Sequence, residues 1–294
     1  MFKFILFFFF LYAYSSMVWS QMIIFPTEQK RYAIENKKVN ESSGLACSTR
    51  DKHLLWTHND SGHMPIIYAM DHKGKDRGTF HLENIESYDW EDMDAFEYQG
   101  EHYLLIADTG DNFNLRWDYR MSIIKEPTLD DQQRSAVSPV GTYTFRYEDG
   151  QSYDVESVAV DIVREKIILL TKRTSHAIMF ELPLKPLFSK PLFSKATDND
   201  ETQIAVKTGE FKRIINPSAL DISADGRLMS INTYARIHRF RRNAHKNRQA
   251  DWSYYNSLKY KKLFQPEAMC LRKDEKYYYV SSEKKSYLLK LRKK

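Results

Sequence analysis

Apolar and polar residues alternate with period two in five short phrases along the chain. They read Ser43-Gly-Leu45-Ala-Cys47, Glu91-Asp-Met93-Asp-Ala95, Glu156-Ser-Val158-Ala-Val160, Ser218-Ala-Leu220-Asp-Ile222 and Glu267-Ala-Met269-Cys-Leu271. A Glu or Ser leads each phrase, and apolar residues follow at +2 and +4. Alternation of this kind predicts a half-buried strand. The leads are 48, 65, 62 and 49 positions apart by subtraction. Each interval contains further strand-like runs separated by polar turns. Repeats of this size, with several strands each, predict an all-β, five-bladed β-propeller.

Within the first repeat the runs are Gly44–Ser48, Leu54–His58, Pro65–Asp71 and Gly78–Leu82. The later repeats follow the same register, and the fourth is expected to end on an outer strand at Ser257–Leu263. The fifth repeat stops after its third run, Tyr287–Leu291. Its fourth strand is expected from Lys30–Asn36, so that the N-terminal segment completes the last blade and no long edge stays open. Segments 126–141 and 183–201 fall between third and fourth strands and read as insertions. The second holds Pro186-Leu-Phe-Ser-Lys190 repeated as Pro191-Leu-Phe-Ser-Lys195, read here as a duplication in a tolerant surface loop.

Residues 1–20 read as a secretory signal peptide: Lys3, the apolar run Phe4 to Ala13, and Val18-Trp19-Ser20 before Gln21. Residues 21–294 then form one propeller domain, secreted or periplasmic, with no later run apolar enough to span a membrane. The formal charge of +5 falls to +4 without Lys3 and is spread along the chain, which does not point to nucleic acid. The arginine-rich run Arg236 to Arg242 reads as a solvated strand. A monomer is expected. Cys47 and Cys270 sit at +4 and +3 of their phrases. Opposite parity places them on opposite strand faces, so two buried thiols are expected rather than a disulfide.

A strand that starts at the channel mouth brings its lead residue there. Ser43, Glu91, Glu156, Ser218 and Glu267 would then form a ring. Two carboxylates about 5 Å apart repel by about 3 kcal/mol at an effective dielectric of about 20. A hard cation with oxygen ligands relieves this, and the donor set suits calcium. The competing relief is a neighbouring Lys172 or Arg173, or carboxylates held protonated. The loops between second and third strands open on the same face and supply the other candidates. Asp60, Asp108 and Asp111 are candidate bases or water-positioners. His58, Asn59, Asn112, Lys172, Arg173, Arg236 and Lys284 are candidate contacts to a small anionic or phosphorylated ligand. Few aromatic residues in these loops are available for sugar stacking.

The strings Glu41-Ser-Ser-Gly-Leu, Trp56-Thr-His-Asn-Asp-Ser-Gly62, Asp89-Trp-Glu-Asp92 and Ala107-Asp-Thr-Gly-Asp-Asn112 resemble a widespread group of exported bacterial propellers without a settled activity. The order Ser, Glu, Glu, Ser, Glu of the leads is similar to the ring of the calcium-activated nucleotidases (apyrases), which are five-bladed propellers with a central Ca²⁺. That resemblance implies calcium ligation by Ser43, Glu91, Glu156, Ser218 and Glu267, and places Asn59-Asp60-Ser61-Gly62 at the nucleotidase loop, with Asn59 where a first acidic residue stands. The function expected is a Ca²⁺-dependent phosphohydrolase. The alternatives are a non-catalytic binding propeller with a structural calcium, and a glycosidase or lactonase.

Overall fold

The computed structural model describes residues 22–130, 136–189, 202–234, 236–243, 252–261 and 263–293. The expected signal peptide and the second copy of the duplicated pentapeptide lie outside them. Two short strands, β1 (Ile23–Ile24) and β2 (Glu28–Ala33), precede the first antiparallel meander. That meander is β3 (Ser42–Cys47), β4 (Leu54–Asn59), β5 (Ile66–Asp71) and β6 (Asp76–His81). The second is β7 (Trp90–Tyr98), β8 (Glu101–Asp108), β9 (Tyr119–Lys125) and β10 (Pro139–Tyr147). The third is β11 (Val155–Asp161), β12 (Lys166–Thr171), β13 (Ala177–Pro183) and β14 (Gln203–Phe211). Then come β15 (Ala219–Ile222), β16 (Leu228–Thr233), β17 (Arg236–Arg242) and β18 (Trp252–Lys259). The last run is β19 (Ala268–Leu271), β20 (Tyr277–Ser281) and β21 (Tyr287–Arg292).

These strands form four hydrogen-bonded sheets. The second and third meanders share one eight-stranded sheet, because their outer strands β10 and β14 pair in parallel from Phe145 and Gln203 onward. The first strands pack in a closed cycle, β3 on β7, β7 on β11, β11 on β15, β15 on β19 and β19 back on β3. That ring makes the protein a β-propeller. Apolar side chains fill the space between neighbouring sheets. Trp56 and Phe80 of the first meander, for example, pack with Met93 and Leu104 of the second. Each fully buried side chain of this size contributes roughly 1.5–3 kcal/mol.

Ring closure follows the expected device. β2 pairs antiparallel with β21 from Glu28↔Arg292 to Ala33↔Tyr287, and β1 adds a parallel strand to β18. The cysteines do not follow the expectation: Cys47 and Cys270 form a disulfide, with Cα atoms 5.6 Å apart. Opposite parity separates two side chains only when their strands share a sheet. The strands of Cys47 and Cys270, β3 and β19, belong to facing sheets, where one strand's left face meets the other's right face. Opposite parity is then what brings them together. The outer strand of the fourth meander also differs. It starts at Trp252 and ends at Lys259, earlier than Ser257–Leu263, because it pairs along the whole of β17, from Arg242↔Trp252 to Arg236↔Lys259.

The duplicated pentapeptide is not mere surface loop in its first copy. Pro186–Ser189 form a helical turn, α1. Leu187 is buried, and Phe188 packs 4.7 Å from Tyr98 and 5.1 Å from Tyr103. Gly141 permits this docking, since a Cβ there would stand 1.8 Å from the Leu187 carbonyl oxygen.

Candidate functional site at the channel mouth

Three of the five lead residues are β-bulges. The register passes from Ser42↔Asn59 to Gly44↔His58, from Trp90↔Asp108 to Asp92↔Ala107, and from Val155↔Thr171 to Ser157↔Leu170. Ser43, Glu91 and Glu156 are the residues left over. A bulge re-aims its extra side chain, so these three turn out of the alternation at the mouth. Ser218 and Glu267 stand one residue before β15 and β19.

The five leads do not share one environment. Ser43 Oγ donates to Glu91 Oε2 at 3.4 Å. Lys172 Nζ pairs with Glu156 and lies 3.4 Å from Glu267 Oε2. Arg173 adds a contact of 3.7 Å to Glu156 Oε1 and one of 2.6 Å to Asp154 Oδ2. Ser218 turns away: its hydroxyl donates to the Pro266 carbonyl at 2.8 Å and accepts from Asn232. One side of the mouth is thus neutralised by cationic side chains.

The other side is not. Asp60, Asp89 and Glu91 bring carboxylate oxygens within 4.8 Å of one another there, and Glu91 also closes a second such group with Asp154 and Glu156 of the neutralised side. Glu91 belongs to both groups and is buried. Burial first, then the charges of Asp60, Asp89 and Asp154, hold its carboxyl well above the ordinary range against the opposing effect of Lys172. Burial and Asp60 push Asp89 up to about 6 despite the nearby Arg116. Gly110 closes the cradle, because a Cβ there would lie 2.3 Å from Glu91 Oε1 and 2.4 Å from Asp89 Oδ2. This set of carboxylate oxygens around a backbone wall fits a hard divalent cation. Asp60, Asp89 and Glu91, which have no ion pair among the described residues, would hold it.

The loop aspartates divide by role. Asp108 accepts from the Tyr88 and Asp89 amides, both at 3.1 Å, and from Arg116 at 2.7 Å. Asp111 accepts from the Leu115 and Arg116 amides and from the Tyr119 hydroxyl. Both are buried fasteners of the loops around them. Asp60 differs: it is partly exposed, and Oδ1 accepts from the Ser61 amide. His58 is buried, bonded through Nδ1 to the Asn59 carbonyl and packed edge-on against Trp90. Asn59 ties Glu41 N to the Lys38 carbonyl. Asn112 and Arg173 hydrogen-bond each other at the rim. Lys284 is exposed, 4.0 Å from Glu283, and Arg236 is half-buried at the start of β17.

Asp89, Asp154, Gly110 and Arg116 were absent from the sequence-based candidates. The first two had a signal: Asp-Trp-Glu at 89–91 and Asp-Val-Glu at 154–156 repeat an aspartate two places before the lead. The mouth is also more aromatic than expected. Tyr88, Phe113 and Trp117, in the loops before β7 and between β8 and β9, are each more than two-thirds exposed, with the Arg116 guanidinium over Tyr88 and that of Arg146 over Trp117.

The chain matches no family model and no curated protein sequence. Among solved structures it is similar to the β-propeller domain of Cps50 (Swd1) from Myceliophteria thermophila, at 8% identity and a TM-score of 0.42, over 86% of this chain and 84% of that one. The propeller assignment therefore stands on the closed cycle of strands.

Proposed function

We propose that this protein is an exported five-bladed propeller that binds calcium at its channel mouth and uses that site to capture a small anionic ligand. The blade count treats the β10–β14 pairing as a seam between two blades of the eight-stranded sheet. The disulfide Cys47–Cys270 fits an oxidising compartment outside the cytosol. The observation that carries the function is Glu91, buried among Asp60, Asp89 and Asp154 with Gly110 leaving room at its oxygens.

When bound, the cation would neutralise these carboxylates and offer open coordination to ligand oxygens. Arg173 and Lys284 at the rim supply positive charge for the rest of an anion, and Tyr88, Phe113 and Trp117 supply apolar contact. Asp108 and Asp111 hold the loops that carry these groups. Phosphoester hydrolysis is the second reading. Asp60 favours it, being partly exposed beside the cluster and able to orient a water molecule.

Thermal melting of the mature chain in EGTA, Ca²⁺ and Mg²⁺ tests the proposal. Calcium at a hundredfold excess over Kd should add about 2.7 kcal/mol of stability. Glu91→Gln should abolish that gain, yet melt no lower than wild type in EGTA, since it removes a carboxyl already disfavoured as an anion. Metal-free protein that responds to neither ion would overturn the cation site. Calcium-dependent turnover of a phosphate ester that Asp60→Asn eliminates would select the second reading.

A further inference from the structure

β17 runs from the mouth to the opposite end of the propeller, where the tight hairpins between first and second strands lie. Its alternation sets Arg239 and Arg241 on one face. The partner strand β18 is bulged at this point: Arg239 pairs with Asn256 and Phe240 with Tyr254, leaving Tyr255 over. The re-aimed Tyr255 ring lies between two guanidiniums, with the Arg241 carbon 3.7 Å and the Arg239 carbon 5.4 Å from its centroid. All three line a groove of about 880 Å³ that Arg227, Arg242 and Lys293 also border. That is the size of a small-molecule site.

Three of these five cations already have carboxylate partners. Arg227 lies 3.9 Å from Asp225, Lys293 lies 2.7 Å from Glu275, and Arg242 pairs with Asp161. Among the described residues Arg239 and Arg241 have no ion pair. Arg239 is only 2% exposed. Its Nε donates to Asn256 Oδ1 at 2.6 Å, while its Nη1 is buried without a hydrogen-bond partner. A buried charge without a counterion is costly unless something pairs with it. Guanidinium forks match the oxygens of phosphate and sulfate groups.

We propose that this groove is a second ligand site, independent of the mouth, for a small organic phosphate or sulfate ester. The oxyanion sits on Arg239 and Arg241, and the organic body lies against Tyr255. The arginine-rich run of β17 is therefore a binding strand rather than a solvated one.

Calorimetric titration of the mature protein tests this, in EGTA and at matched ionic strength, with inorganic phosphate, sulfate and glycerol phosphate as probes. Saturable binding is expected, with glycerol phosphate the tightest of the three. Arg241→Ala should weaken it tenfold or more, and Arg239→Met should abolish it. Because Arg239 is buried, circular dichroism would check that variant's fold; the exposed Arg241 keeps the test valid if Arg239→Met fails to fold. Arg50→Ala, on another hairpin at this end, should change nothing. No binding, or equal losses in Arg50→Ala and Arg241→Ala, would overturn the site. Binding to phosphatidylglycerol vesicles without binding to any free probe would overturn it in favour of a membrane surface.

Discussion

The two ends of this propeller use the same device to opposite effect. At the mouth, bulges at Ser43, Glu91 and Glu156 turn side chains out of the strand alternation and gather carboxylates. At the far end, a bulge at Tyr255 turns an aromatic ring between two arginines. Each end also neutralises part of its own charge. Lys172 sits between Glu156 and Glu267 at the mouth, and Asp161, Asp225 and Glu275 pair with cations at the far end. What remains is an acidic remainder around Glu91 and a basic remainder at Arg239 and Arg241. Each proposed site rests on the uncompensated part of a charge cluster rather than on its total.

Lys172→Met should break the mouth half of this comparison most severely. It leaves Glu156 and Glu267 buried without their shared cation, and removal of one partner from a buried pair costs about 3–5 kcal/mol. Urea denaturation in EGTA would measure the loss. Calcium should restore more stability to this variant than it adds to wild type. An equal calcium response in both would mean that the neutralised and acidic sides of the mouth do not share one field.

Cutting the disulfide should act on both ends alike. Cys47→Ser with Cys270→Ser removes the covalent closure between β3 and β19. The expected loss is about 2–5 kcal/mol, or roughly 3–9 °C in melting temperature. The calcium and phosphate responses should both survive at lower temperature. Loss of only one response would show that the closure supports that end alone.

A third test lies in the channel between the two ends. There the acidic residues serve the backbone instead of a ligand. Asp92 Oδ2 accepts from the Val158 and Leu220 amides at 2.8 and 3.3 Å, Asp94 Oδ2 from Val160, and Asp221 Oδ2 from Leu271. Each bond ties the inner strand of one meander to that of another. Burial, then the charge of Asp94, raises Asp221 to about 8 against the effect of Lys273. The folded chain keeps that proton where the unfolded chain releases it near 3.8. The stability contributed is therefore complete in acid and is lost as pH rises toward about 8. Asp221→Asn mimics the protonated acid. It should match wild type near pH 4 and melt higher near pH 9. A higher melting temperature for wild type at pH 9 would mean that Asp221 works as an anion.

Much of this architecture was legible in the chain. Short runs rich in aromatic and aliphatic residues marked Tyr119–Lys125 and Tyr277–Ser281 to the residue, because polar turns bound strands that are buried on both faces. They also exposed the shortage of a final strand that β2 fills. The ring of leads was visible because a repeated position in a repeated unit returns to the same place around the axis.

Local sequence fixed which residues alternate and where the chain turns, since those depend on near neighbours and backbone sterics. Only the tertiary structure decided which faces meet. It paired Cys47 with Cys270 across two sheets, turned Ser218 toward Pro266, and set Lys172 between two glutamates. It also left Glu91 and Arg239 buried with incomplete compensation. These outcomes depend on contacts between residues up to 223 positions apart. The side-chain period of one strand carries no record of the strand that will face it.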